Sequence, residues 1–363
     1  MMSKSVILAF SAIMLLLIAL PAQTQTDPIP TPTRTPIPIT PLWVYTPGFT
    51  PSATYTLTPS PTFTPSMTPT PAPYSDHYRL ARPIAEGGVD VIDRVYPYGG
   101  TQRGTFAVHS GVEFVNPRGT PVIAAADGSV IFAGTDDQVL IGPRLNYYGN
   151  VVIVMHPNLY APEGVPIYTL YGHLDRIDVT IGTTVRQGDR LGTVGASGIA
   201  IGSHLHFEVR VGDPYDFYAT RNPDLYLFPK PNTAMVVGRV RDLDGNYLYE
   251  VPIQFRRADT TGGLTWETFT YGDAETVNSS MTWGENFTRG DLRPGDYEVF
   301  VSTLYGQKLY SQVITLEPNR TTWIDIQIPA GHVFIPGGRR DNLTPEATPE
   351  ITPQDTEEPQ NFG

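Results

Sequence analysis

The sequence predicts an all-β protein with two folded units, flanked by Pro/Thr-rich segments that are expected to be disordered. Short runs of β-branched and aromatic residues alternate with Gly-containing turns from residue 120 onward, and no run has the length and period of an amphipathic helix. Proline and threonine dominate residues 24–75 and recur near the C-terminus. Proline removes backbone donors and fixes φ, which favours extended chain over a packed core.

The N-terminal residues 1–23 have the pattern of a signal peptide. Lys4 precedes an apolar run from Val6 to Leu20, and Pro21-Ala22-Gln23 offers a small-residue cleavage point. The alternative is an uncleaved signal anchor; no other transmembrane segment is expected. Residues 24–75 are interpreted as a semi-rigid linker, and residues 331–363 as a disordered acidic tail. The predicted location is therefore secreted or associated with the cell envelope.

Composition restricts the partners and the type of site. The chain of 363 residues has no cysteine, which excludes disulfides, thiolate metal sites and a lipid-modified N-terminal cysteine. The formal net charge of −12 argues against nucleic acid as a partner, because binding the phosphate backbone needs a basic surface. The first folded unit, residues 76–230, must therefore perform any metal chemistry with His, Asp and Glu.

Strands are predicted in both units from short β-rich runs separated by turns. In the first unit they lie at residues 120–126, 129–133, 150–156, 167–174, 190–194 and 204–211. In the second unit, residues 231–330, the strand-like runs begin at Met235 and continue at 251–255, 291–301, 312–316 and 321–328. This regular spacing predicts a small β-sandwich. The Asp244-Gly245 turn after the first strand and the string Leu292-Arg-Pro-Gly-Asp-Tyr297 make the unit resemble carboxypeptidase regulatory-like modules.

The string from Ser203 to Val211 is the most informative of the predicted strands. Successive strand side chains point to opposite faces, so His204, His206 and Glu208 share one face and the apolar residues between them share the other. Two imidazoles on one rigid face can bind a metal and handle a proton. The alternative is a polar strand face with two ordinary histidines. Glu208 is either a partner that orients an imidazole or a solvated residue.

Other histidines favour the metal interpretation. On a straight strand His109 and Glu113 would lie about 13 Å apart, so they can share an ion only if the backbone turns, and Gly111 is placed to allow this. A consistent assignment has His109, Glu113 and His206 as ligands of one zinc ion, with His173 and His204 as free imidazoles beside it. His156, before Pro157, is predicted to end a strand at the sheet margin, outside this group.

The first unit also resembles the lysostaphin-type zinc endopeptidases of the bacterial cell wall. The residues that carry the resemblance are His109-Ser-Gly-Val-Glu113, Gly119-Thr-Pro-Val-Ile-Ala-Ala-Ala-Asp-Gly128, Tyr148-Gly-Asn-Val-Val-Ile153, Tyr168-Thr-Leu-Tyr-Gly-His-Leu174, Gly182-Thr-Thr-Val-Arg-Gln-Gly-Asp-Arg-Leu-Gly192 and Gly202-Ser-His-Leu-His-Phe-Glu208.

The resemblance implies an antiparallel β-sheet groove and hydrolysis of peptide cross-links in peptidoglycan. It places the metal ligands at His109, Glu113 and His206 and the catalytic histidines at His173 and His204. Glu113 departs from the family pattern, which usually has Asp there. The alternative is a noncatalytic domain that binds the cell wall or activates another hydrolase. The enzyme is expected to be a monomer with one zinc ion.

Overall fold

The computed structural model describes residues 78–161, 164–259 and 264–334. The predicted signal peptide, the predicted linker and nearly all of the predicted tail lie outside the described residues, so those assignments stay predictions. Within the described ranges no helix has the length and apolar character needed to cross a bilayer.

Nine strands of the described residues form one large sheet in the first unit, and neighbouring strands in it pair antiparallel. The strands are β1 (Val112–Val115), β2 (Pro121–Ile123), β3 (Gly128–Thr135), β4 (Asn150–Tyr160), β5 (Pro166–Ile177), β6 (Thr184–Val185), β7 (Arg190–Val194), β8 (His204–Val211) and β9 (Thr220–Arg221). Their order is β1-β8-β5-β4-β3-β6, with β2 on β7, β7 on β5 and β9 on β8. The all-β prediction is confirmed, since the helical element among the described residues is one 3₁₀ turn, Pro223–Leu225.

Strand β8 lies inside this sheet, between β1 and β5, and all eight of its residues are buried. Leu205, Phe207 and Val209 join the main hydrophobic core on one face. His204, His206 and Glu208 therefore share the opposite face, as the alternation predicts. A strand with neighbours on both sides has its backbone groups paired, which makes it a rigid carrier for these side chains.

Two smaller sheets follow in the second unit. Their strands are β10 (Ala234–Arg241), β11 (Pro252–Arg257), β12 (Thr265–Phe269), β13 (Phe287–Leu292), β14 (Gly295–Ser302), β15 (Lys308–Leu316) and β16 (Thr321–Gln327). One sheet has the order β13-β10-β16, with β10 and β16 parallel, and the other has the order β12-β11-β14-β15. One buried cluster draws on both sheets, including Val236 and Ile324 from the first and Phe255 and Val299 from the second.

The run at residues 291–301 contains parts of two strands in different sheets. Strand β13 ends at Leu292 and β14 begins at Gly295. Pro294 has no backbone N–H to donate to a ladder, and Gly295 has a φ of +133°, a backbone conformation that side chains disfavour. These two residues separate the strands, which alternation alone could not indicate.

The main core extends across the predicted domain boundary at residues 230 and 231. Val237, Tyr271 and Trp283 from the second unit belong to the same buried cluster as Phe114 and Phe207 from the first. The boundary and the likeness to carboxypeptidase regulatory-like modules stay predictions. The shared core means that the two units pack against each other over apolar surface.

Candidate metal centre

The pairing of β1 with β8 brings Glu113 and His206 together. Glu113 is the direct antiparallel partner of His206, so the two side chains lie on the same face of the sheet. These residues are more than ninety positions apart in the sequence, and only the strand pairing makes them neighbours. His109 lies just before β1, where the chain enters the sheet.

Gly111 is needed at this point because the backbones approach each other closely. A Cβ atom added there would lie 2.5 Å from the carbonyl oxygen of Phe207 and 2.8 Å from Nε2 of His206. Its φ is not in the left-handed region. Glycine is required here because there is no space for a side chain, and not because the backbone needs a left-handed turn.

Ligand atoms of His109, Glu113 and His206 all lie within 4.8 Å of one another. Nε2 of His109 is 3.7 Å from Oε1 of Glu113 and 3.2 Å from Nδ1 of His206. The structure thus brings together the three residues that the sequence analysis assigned as ligands. Both imidazoles are buried, and Glu113 is partly open to the cleft.

The hydrogen bonds of the two imidazoles fix which nitrogens face the centre. Nδ1 of His109 donates to the carbonyl oxygen of Tyr96 at 2.7 Å, because a carbonyl oxygen can only accept. Nε2 of His206 donates to Oε1 of Glu208 at 3.0 Å. In the neutral imidazoles, the nitrogens that face each other, Nε2 of His109 and Nδ1 of His206, therefore both present lone pairs.

This donor set fits a divalent cation such as zinc. Burial, with His206 as the next cause, holds the pKa of His109 well below its usual range, so a proton between the two nitrogens is disfavoured. Burial raises the pKa of Glu113, and the neighbouring His206 offsets this rise only in part. Two bare imidazole nitrogens and one carboxylate are the combination that catalytic zinc sites use.

Glu208 accepts a hydrogen bond from Nε2 of His206, the ring nitrogen that faces away from His109, and is itself completely buried. It accepts hydrogen bonds from the hydroxyls of Ser110 and Tyr148, each at 2.6 Å, and from Nε of Arg210 at 2.8 Å. Although burial opposes ionisation, Arg210 and then His206 hold the pKa of Glu208 below its usual range. Glu208 is therefore a charged acceptor that fixes the tautomer and the orientation of His206.

His204 presents a free basic nitrogen to the same space. Its Nδ1 donates to the carbonyl oxygen of Gly202 at 3.2 Å, whereas its buried Nε2 makes no hydrogen bond and lies 3.5 Å from Oε1 of Glu113. Burial, followed by the neighbouring His206, lowers the pKa of His204 to about 4. At neutral pH this imidazole is uncharged and can accept a proton at Nε2.

His173 reaches the site through an unusual backbone conformation. Gly172 pairs directly with His206, so a regular β5 would turn His173 to the opposite face. His173 instead has a φ of +60°, in the left-handed region that non-glycine residues rarely adopt. Its Nδ1 donates to the carbonyl oxygen of Ser197 at 2.8 Å, and its ring centre lies 4.9 Å from that of His204.

An open cleft of about 480 Å³ is lined by the three candidate ligands, His109, Glu113 and His206, and by the two other histidines, His173 and His204. Its walls carry aromatic and aliphatic side chains, among them Tyr96, Phe106, Tyr147 and Ile201. The Tyr96 ring stacks on His109 with 4.1 Å between ring centres and an interplanar angle of 6°. The candidate centre is thus accessible to a substrate on one side and held by buried hydrogen bonds on the other.

The other histidines of the described residues, His156 and His332, lie outside the candidate centre. His156 is fully buried, so the prediction of a place at the sheet margin is wrong; it bonds the carbonyl of Asp127 and the hydroxyl of Thr169. His332 does not line the cleft, and His77 lies outside the described residues.

The ion pair between Arg210 and Glu208 was not predicted from the sequence, although the two residues are two positions apart on one strand face.

The model of the family described as Peptidase family M23 matches residues 107–217. This segment contains His109, Glu113, His173, His204 and His206. The chain contains a domain of peptidase family M23. The matched segment lies inside the first folded unit predicted from the sequence.

Curated relatives of this chain include two bacterial proteins that are named as endopeptidases. The DD-carboxypeptidase/endopeptidase Mpg of Neisseria meningitidis is 36% identical over 128 residues, which are 35% of this chain and 24% of Mpg. The peptidoglycan DD-endopeptidase ShyA of Vibrio cholerae is 33% identical over 139 residues, which are 38% of this chain and 29% of ShyA. The chain thus spans less than a third of the length of either relative.

Among solved structures, the catalytic domain of the antimicrobial peptidase lysostaphin from Staphylococcus simulans matches part of this chain. The sequence identity is 25%, the match covers 40% of this chain and 89% of that one, and the TM-score is 0.27.

Proposed function

We propose that this chain is an exported, monomeric zinc endopeptidase that hydrolyses peptide cross-links of bacterial peptidoglycan. The observation that carries the proposal is the convergence of two bare imidazole nitrogens and a carboxylate at the floor of an open cleft. The names of Mpg and ShyA, both DD-endopeptidases, support this substrate class. One chain contributes every residue of the centre, which supports activity as a monomer.

His109, Glu113 and His206 would hold one zinc ion through Nε2, a carboxylate oxygen and Nδ1. Bound zinc supplies a Lewis acid and lowers the pKa of a coordinated water towards neutrality. Glutamate in place of the usual Asp retains an oxygen donor of the same kind, and the pairing of β1 with β8 keeps Glu113 opposite His206. The fit therefore does not require the shorter side chain.

The two remaining histidines are proposed to act on the proton and on the scissile carbonyl. Nε2 of His204 has no hydrogen-bond partner, so it is free to accept a proton from the attacking water. The Nδ1 hydrogen of His173 is donated to the carbonyl oxygen of Ser197, so Nε2 of His173 can donate to the oxyanion that develops on the substrate only once that nitrogen is protonated.

Digestion of purified sacculi tests this function. The protein is incubated with sacculi from several bacteria, with zinc or with a chelator, and new peptide termini are identified by mass spectrometry. We expect new termini only with zinc, and none with His204→Ala. His332→Ala, which removes an imidazole outside the cleft, is the matched control and should cut like the wild type. Zinc binding without any new termini would instead favour a noncatalytic wall-binding or activating role.

A further inference from the structure

A loop of residues 99–106 forms one wall of the cleft, and its backbone includes conformations that are costly for residues with side chains. Gln102 and Phe106 from this loop line the cleft. Three consecutive residues, Gln102, Arg103 and Gly104, have left-handed φ angles of 49°, 59° and 78°. Such conformations are costly for residues with side chains and persist only where surrounding contacts impose them. The contacts that hold this loop therefore determine the shape of the wall.

The second unit holds the base of the loop through its backbone. The N–H of Gly272 donates to the carbonyl oxygen of Gly99 at 2.7 Å. An added Cβ at Gly99 would lie 2.4 Å from the ring of Tyr271, and one at Gly272 would lie 2.7 Å from Cγ2 of Thr101. The two segments therefore pack at backbone distance, and both positions need glycine.

Side chains of the second unit also hold the tip of the loop. The hydroxyl of Thr101 donates to the buried carboxylate of Glu250. Arg103 donates to Oε1 of Glu267 at 2.5 Å, and its guanidinium lies 5.3 Å from the ring centre of Phe269. Neither Glu267 nor Phe269 lines the cleft. Arg103, one of the residues with a left-handed backbone, is thus held by strand β12. This strand lies outside the residues that match peptidase family M23.

We infer that the second unit shapes the substrate cleft by holding the 99–106 loop, with Arg103 and Glu267 as positioning residues for the substrate. This inference rests on the proposed function for its kinetic consequence, but the loop contact exists independently of it. Since Gln102 and Phe106 face the cleft whereas Arg103 faces β12, release of Arg103 alters contacts with substrate and leaves the metal ligands in place. The second unit would therefore be part of the substrate-binding apparatus.

Steady-state kinetics on soluble cross-linked muropeptide dimers tests the inference. An exposed ion pair together with a cation–π contact is expected to change KM by roughly three- to tenfold when lost. We therefore expect Arg103→Ala to raise KM by this factor and Glu267→Gln, which leaves the contact between Arg103 and Phe269, to raise KM by less, with kcat and zinc affinity unchanged in both. The double variant should be no worse than Arg103→Ala, and Arg103→Lys should recover part of the loss. Glu298→Gln, which removes ion pairs to Arg256 and Lys308 elsewhere in the same sheet, is the matched control.

Hydrogen exchange of the loop peptide, read by mass spectrometry, makes the test independent of turnover. Glu267→Gln should speed exchange in residues 99–106, and Glu298→Gln should not. If Arg103→Ala raises KM but Glu267→Gln changes neither KM nor exchange, then Arg103 contacts substrate directly and the inference is overturned. Faster exchange in a protein that never cleaves the dimers would uphold the loop contact while refuting the proposed peptidase function.

Discussion

Replacing Glu208 with glutamine tests how the candidate metal centre is held. The carboxylate of Glu208 accepts the Nε2 hydrogen of His206, and this contact directs Nδ1 of His206 towards His109. Glutamine has one acceptor oxygen instead of two, and its amide group donates. Because Ser110, Tyr148 and Arg210 compete for that single oxygen, His206 loses its charged acceptor.

The expected loss of zinc affinity follows from that contact. Removing the partner of a metal-bound imidazole typically weakens metal binding by about 10–100-fold. This corresponds to about 1.4–2.7 kcal/mol in binding free energy. The effect should appear at equilibrium, in competition with a chromophoric chelator, without any substrate.

The same substitution should also lower the free energy of unfolding. Arg210 and Glu208 are both fully buried, and removing one partner of such a pair costs about 3–5 kcal/mol. Arg210 keeps its hydrogen bonds to the carbonyl oxygens of Ile141 and Pro214, so we expect the lower end of this range. Urea unfolding in the presence of a chelator measures this loss apart from the metal.

Tyr148→Phe separates the two effects. It removes one donor to Glu208 but leaves the contact between Glu208 and His206 intact. Stability should fall by about 1–3 kcal/mol, because the buried hydroxyl and its partners lose hydrogen bonds. Zinc affinity should stay within about threefold of the wild type, an allowance below the 10–100-fold loss expected when the imidazole partner itself is removed. Zinc binding by Glu208→Gln as tight as that of the wild type would refute the positioning role.

Three further predictions concern the centre and the buried core. His204→Ala should keep one zinc per chain in metal analysis but lower kcat by about 10²-fold or more, the range for loss of a general base; loss of the zinc would contradict its assignment as a free imidazole. Glu113→Asp should bind zinc within about tenfold of the wild type, whereas Glu113→Gln should bind it far less tightly, and equal affinities would show that the carboxylate is not a ligand. Burial raises the pKa of Glu285 to about 8, so its contribution to stability is fully present below the unfolded-state value of about 4.5 and is lost as pH rises through about 8. Urea unfolding between pH 5 and 9 should therefore show a falling stability that Glu285→Gln flattens, and an equal slope in both proteins would count against this reasoning.

Local patterns predicted the strands that carry the site. Alternation predicted the bounds of β8, residues 204–211, and a short β-rich run between glycine-containing turns predicted those of β7, residues 190–194. Both strands lie next to glycine-containing turns, and β8 also alternates strictly, so local preference and tertiary structure agree there. The parallel pairing of β10 with β16 could not be predicted, because it joins segments about eighty residues apart and leaves no local signal.

The residue types at the site were predictable, but their geometry was not. The left-handed backbone of His173 reverses the face that alternation assigns to it, and nothing in the neighbouring residues indicates this. Similarly, Gly111 stands out in the sequence, but the close approach of Phe207 that requires it is a tertiary contact. The ion pair between Arg103 and Glu267 joins the two units, and no local sequence motif could indicate it because the residues are 164 positions apart.

Anomalous X-ray diffraction at the zinc absorption edge tests the central claim most directly. Crystals of the full chain grown with zinc should show one strong peak per chain, about 2.0–2.2 Å from Nε2 of His109, Nδ1 of His206 and a carboxylate oxygen of Glu113. A peak bound by any other set of residues, or a cleft without zinc in crystals of protein that cleaves peptidoglycan, would contradict the account.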